Sequence, residues 1–197
     1  MPQTFEIAGA KLSLPDGYLP MRPMPDDPPG SLPLGMEGPG ATCFAMVMPV
    51  DPAQAMPFAD PQDVIDGIHD ALADDQGLVE VESSMTASGL RCIHSIVKTA
   101  VEPAGVQYAL TLDLEMPQFC IRVQGFFDEA GTTGARDAAV FAMTGAAPDG
   151  WRRDPYDPKR TAGNLMNLSE LPEYDSAFPQ HPLSLLRGFV ASILRDN

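Results

Sequence analysis

The chain has 197 residues, 44% of them hydrophobic and 20% charged, which suits one domain with a substantial core and excludes a disordered composition. Its 27 acidic residues against 12 basic ones give a formal net charge of −15. Such a surface repels nucleic acid and anionic lipid, so any partner is expected to be cationic or apolar.

Residues 4–8 and 11–14 alternate as two short strands joined by Ala8-Gly9-Ala10, and Pro15-Asp16-Gly17 ends the second. The segment 15–40 follows, with eight of the chain's 21 prolines, which rule out a helix interior or a central strand and predict an extended surface loop. The competing reading is a docking arm with Met21, Met24 and Met36 exposed; the surface loop is the simpler account. The apolar run ATCFAMVMPV reads as a strand. In DPQDVIDGIHDALADDQG, Asp60 is placed to cap a helix, Pro61 opens it, and Asp63 offers a capping-box-like carboxylate. Val64, Ile65, Ile68 and Leu72 form its apolar stripe, and Gly77 is the expected stop.

From Leu78 the period changes to two. LVEVESSMT, LRCIHSIVKTA, VQYALTLDLEM and FCIRVQGFF follow with short breaks, the pattern of an antiparallel meander. In the third run Val106, Tyr108, Leu110, Leu112 and Leu114 alternate with Gln107, Thr111 and Asp113, predicting one buried and one wet face. GTTGARDAAVFAMTGA reads as a helix capped by Thr132 or Thr133. An irregular, Pro-rich segment spans 146–181, and a last helix opens at Pro182 with Leu183, Leu186, Val190, Ile193 and Leu194 on one face. The expected fold is thus a single α+β domain over residues 1–197, an antiparallel sheet covered by helices.

This order, with an opening hairpin that ends in Pro15-Asp16-Gly17-Tyr18, resembles the PsbP-like α/β/α sandwich. The resemblance is topological, spans most of the chain, departs from the pattern between 150 and 180, and carries over no functional residues. It implies a binding protein rather than an enzyme, because members of that fold are mostly non-enzymatic subunits, lipoproteins and chaperones.

The sequence holds no nucleophile elbow, no zinc-protease motif and no phosphate-cradling glycine pattern, and it calls for no cofactor. Cys43, Cys92 and Cys120 are isolated, without metal-ligand spacing. Three unpaired cysteines, the absence of a leader-like start and the absence of a run of ~18–20 apolar residues predict a cytoplasmic chain with no membrane span. The expected function is a non-enzymatic adaptor or chaperone-like protein with a protein partner.

Two constellations compete with that reading. Asp63, Asp66, Asp70 and Asp74 lie three or four residues apart, and Asp66, His69 and Asp70 could hold a divalent cation in a metal-binding protein or enzyme; a solvated acidic face is the simpler account. In WRRDPYDPKR, Arg152, Arg153, Lys159 and Arg160 gather a third of the positive charge beside Trp151, the only tryptophan. These types anchor partners. The alternative is a connection whose charges pair with one another or with the acidic bulk while Trp151 packs inward. His94 is expected to be a satisfied sheet histidine and His181 a helix-start residue.

Overall fold

The structure, a computed structural model, describes residues 2–197. Strands β1 (Gln3–Ile7) and β2 (Ala10–Leu14) form a hairpin. Ala8 and Gly9 both have positive φ, the geometry that matches a two-residue loop to the twist of its strands. β3 (Leu19–Pro20), β4 (Leu32–Glu37), β5 (Ala41–Val50), β6 (Gln76–Met85), β7 (Arg91–Ala100), β8 (Val106–Glu115) and β9 (Cys120–Glu129) build one antiparallel sheet in the order β3-β4-β5-β9-β8-β7-β6. The helices are α1 (Pro61–Ala71), α2 (Ala135–Thr144), the four-residue α3 (Pro148–Trp151) and α4 (Pro182–Asp196). The fold is a single α+β domain whose sheet is covered by α1, α2 and α4.

The main core lies on the inner face, under α4 and the hairpin. Val47, Leu110, Leu112, Val123 and Phe127 from the sheet meet Leu186, Phe189 and Ile193 from α4 and Leu12 and Leu14 from β2. Tyr18 stands edge-on to Phe189 at 4.7 Å between ring centres. A smaller core lies on the outer face, where Val64 and Ile65 of α1 cover Leu78, Val81 and Ile93, with Met56 and Phe58 packed at its margin.

Four local expectations are corrected. The 15–40 loop contains β4, which β5 pairs on one side while β3 reaches only Leu34 and Gly35 on the other. Pro33 fits there because β4 lies next to the sheet edge and its nitrogen needs no ladder partner. Helix α1 stops at Ala71, with Leu72 as C-cap, and Gly77 lies in β6 instead. A Cβ at Gly77 would fall 1.8 Å from the Asn164 carbonyl oxygen, so this glycine permits a close chain approach. α2 is capped by Gly134 in the left-handed region with no side-chain cap, while the Glu129 carboxylate accepts from the Gly134 amide at 3.1 Å. Finally, Asp113 of β8 is fully buried on the face expected to be wet, because residues 51–58 fold over it.

Candidate interaction surface

Alternation gives each strand one set of side chains per face. On β5, Cys43, Ala45 and Val47 point into the main core, and Thr42, Phe44, Met46 and Met48 point outward. The register then defines one row across the outer face: Gly35, Phe44, Phe126, Ala109, Val97 and Leu78 are successive cross-strand partners. At one end Leu78 is buried in the smaller core beneath α1, and half-buried Val97 packs against it. At the other end Phe44 is 41% exposed, and beyond it Leu19 is 63% and Met21 48% exposed. Met21 lies over Gly35, where an added Cβ would meet its sulfur at 2.9 Å. Leu19, Met21, Gly35, Glu37, Phe44 and Asp128 line the resulting groove.

The border between the covered and open halves is a charge-assisted clamp. Arg122 donates to both Asp113 oxygens at 2.8 and 2.7 Å and to the Gln54 carbonyl at 2.8 Å. Asp113 also accepts from the Met56 amide at 2.7 Å. The clamp fixes residues 54–56 against the sheet and stops the covering there. Its hydrogen bonds to Asp113, opposed by burial and helped by the attraction of the Asp113 charge, raise the Arg122 pKa above the ordinary value.

The inner face is closed by a polar network that ties residues 152–181 to the sheet. Lys98 donates to Glu170 at 2.7 Å, with both side chains buried, and the Tyr108 hydroxyl donates to the other Glu170 oxygen at 2.8 Å. Burial first, then the Glu170 charge, pushes the Tyr108 pKa well above its ordinary value. Buried Arg136 donates to the Ser169 carbonyl at 2.6 Å and to Asp175 at 3.0 Å. Arg187 of α4 reaches Glu80 at 2.8 Å and the Glu170 carbonyl at 2.9 Å.

Each histidine faces a carboxylate: His69 to Asp154 and His94 to Glu80, both at 3.0 Å, and His181 to Glu129 at 3.5 Å. Among the described residues, Glu80, Glu82 and His94 can bring ligand atoms within 4.8 Å of one another. That set fits a structural tie better than a cation. A metal on His94 Nε2 would put the proton on buried Nδ1, which has no partner, whereas ligating imidazoles normally donate their second N–H. Glu80 is already held by His94 and Arg187.

Of the sequence-nominated cation residues, Asp66 accepts from Gln62 Nε2 at 2.7 Å, His69 turns to Asp154, and Asp70 is exposed. The three are not brought to one point. In WRRDPYDPKR, Trp151 is half-buried and stands edge-on to Phe141 at 5.1 Å. Arg152, Arg153 and Lys159 are exposed and Arg160 half-buried; among the described residues none of the four makes an ion pair. The expected internal charge pairing is therefore absent from the described residues. Buried Asp154 instead accepts the Tyr156 and Asp157 amides, both at 2.9 Å.

What the stretch does is visible at β6, an edge strand. The Val81 amide donates to the Tyr156 hydroxyl at 2.6 Å, that hydroxyl donates back to the Val81 carbonyl at 3.2 Å, and the Asn164 amide donates to the Gln76 carbonyl at 2.9 Å. Residues 152–166 cap backbone groups that would otherwise offer a pairing template. Of the apolar residues on this open face, Met21 is read from the sequence as part of a docking arm, whereas Phe44 and its neighbour Phe126 are not singled out. For Phe44 the signal lies in ATCFAMVMPV, which is apolar on both faces although only one of them is covered.

The architecture bears a weak, low-identity resemblance to the PsbP-like and Mog1-like α/β/α sandwich. Among solved structures it is similar to a protein of unknown function from Pseudomonas aeruginosa (15% identity, 75% of this chain and 96% of that one, TM-score 0.38). It is also similar to the cyanobacterial PsbP of Synechocystis (14% identity, 72% and 86%, TM-score 0.41) and to a Mog1 variant (12% identity, 75% and 86%, TM-score 0.40). No family model matches the sequence, and neither does any curated protein. Among the described residues, no helix is long and apolar enough to cross a membrane.

Proposed function

We propose that the protein is a non-enzymatic binding protein, an adaptor or chaperone-like holder, that seats a polypeptide partner on the open half of its outer sheet face. The observation that carries this is the single register row that runs from sealed Leu78 to exposed Phe44 without a change of apolar character. Contiguous exposed apolar surface marks interaction sites, and methionines such as Met21, Met46 and Met48 adapt to varied partners.

The reactive residue types support a binding role. Burial pushes the Cys43 and Cys92 thiols up to about 12, which holds them as thiols, and all three cysteines are buried and free. The three histidines are tied to carboxylates in packing contacts. Free cysteines also fit a reducing, cytoplasmic setting. In this reading the 151–160 stretch is an edge cover and not the partner anchor.

The test compares partner recovery from native lysate by wild type, by Met21→Ser/Phe44→Ser and by a variant with Arg152, Arg153, Lys159 and Arg160 all changed to Gln. The proposal expects proteins recovered by wild type to be retained by the Gln variant and lost by the Ser variant, both variants staying folded by circular dichroism. Retention by the Ser variant with loss by the Gln variant would overturn it.

A further inference from the structure

We infer that the segment received by the open half-face is cationic as well as apolar, and that Glu37 and Asp128 select it. This rests on the reading of that face as a polypeptide-binding surface.

The row next to the Phe44 row on the same face is Glu37, Thr42, Asp128 and Gln107. Two residues along a strand separate the rows, about 7 Å. That places two carboxylates one step from the apolar groove they help to line. Among the described residues neither is in an ion pair; Asp128 accepts from Gln107 Nε2 at 2.8 Å, and Glu37 is exposed.

The cations that could neutralise this border are engaged or offset. Arg122, opposite Met48 on the same face, is held by Asp113 and Gln54. The loop that carries Met21 adds Arg22, but also Asp26 and Asp27. A second copy of the chain is the wrong occupant, because each copy carries a formal charge of −15 and the two would repel. The complementary ligand presents apolar side chains to Phe44 and Met21 and a Lys or Arg over Glu37 and Asp128. Arg suits best, since its planar fork pairs with carboxylates in two-point fashion.

The experiment uses the full chain and two fluorescent amphipathic peptides with identical apolar positions. One carries Lys and Arg at its polar positions, the other Gln. Fluorescence anisotropy is expected to show the basic peptide binding about tenfold more tightly at low salt, with the preference shrinking between ~0.05 and ~0.5 M NaCl. Glu37→Gln/Asp128→Asn is expected to bring the two peptides within about twofold of each other. Asp70→Asn/Asp74→Asn, which removes the same charge from the α1 region, is expected to keep the preference, and Phe44→Ser to weaken both peptides. Equal binding of both peptides to wild type, lost in Phe44→Ser, would overturn the charge selection and leave the apolar site standing. An equal effect of the two double variants would overturn it in favour of diffuse attraction. Binding of neither peptide would overturn it too, with partner recovery deciding separately whether the face binds protein at all.

Discussion

The same cross-strand row meets two different surroundings. At Leu78, 1% exposed, it is roofed by α1 and closed into a small core; at Phe44, 41% exposed, it has side-chain chemistry fit for a core and no roof among the described residues. The sheet does not cause the difference, because the ladder runs from β6 to β4 with Leu78 and Val97 still paired beside a bulge between Leu78 and Glu80. The crossover does. The chain leaves β5, is clamped at Gln54 and Met56 by Arg122 and Asp113, and lays α1 on the β6–β7 side. The proposed partner site rests on this apolar surface that the fold leaves unsealed.

The clamp is where this contrast is most easily broken. Arg122→Ala strands the buried Asp113 carboxylate and is expected to cost about 3–5 kcal/mol. Urea unfolding measures this, and a loss below about 1 kcal/mol would show that the clamp does not hold the roof.

Next in size is a matched pair. Ile93, fully buried under α1, should cost about 2–4 kcal/mol as Ile93→Ala, whereas Phe44→Ser should change stability by less than about 0.5 kcal/mol. Comparable losses at the two positions would mean that the Phe44 end is also core.

At the β6 edge, Tyr156→Phe leaves the Val81 amide and carbonyl without their hydroxyl partner and is expected to cost about 1–2 kcal/mol. Light scattering on heating should then show earlier aggregation, since an uncapped edge invites pairing.

The closed side should also reveal itself in pH dependence. Burial alone would raise the pKa values of Glu80 and Glu129, but hydrogen bonds to Glu80 from His94 and Arg187, and to Glu129 from His181 and the Gly134 amide, outweigh it and hold both below the ordinary 4.5. A lowered folded pKa means that the stabilisation is fully present above about 4.5 and is lost as pH falls through the folded values. Tm of wild type should therefore drop below pH 4.5, and Glu80→Gln should drop less over the same range. Parallel curves would show that Glu80 contributes no such linkage.

The smallest effect is expected at the 151–160 stretch. Changing Arg152, Arg153, Lys159 and Arg160 to Gln should leave Tm within about 2 °C, because none of these bases has an ion-pair partner to lose among the described residues.

What was legible beforehand follows from what is local. The meander from Gln76 to Glu129 is announced by a period near two and short breaks, and α1 by Asp60, Pro61 and its stripe. Legibility failed where a distant segment decided the outcome. Pro33 reads as a loop residue until β5 supplies a ladder, and Gly77 reads as a helix stop until Asn164 arrives beside it. Asp113 reads as wet until Met56 and Arg122 close over it. The open apolar half-face was half legible. Two-faced apolarity in ATCFAMVMPV called for two coverings, but only the topology shows that α1 sits elsewhere and leaves Phe44 bare.

A photo-reactive benzoyl-phenylalanine placed at position 44, with the same group at positions 70 and 159 as controls, tests the central claim most directly. After irradiation in native lysate, the account predicts a discrete crosslinked polypeptide from position 44 that is absent from the other two. Crosslinking from position 159 or 70 with none from position 44 would contradict it.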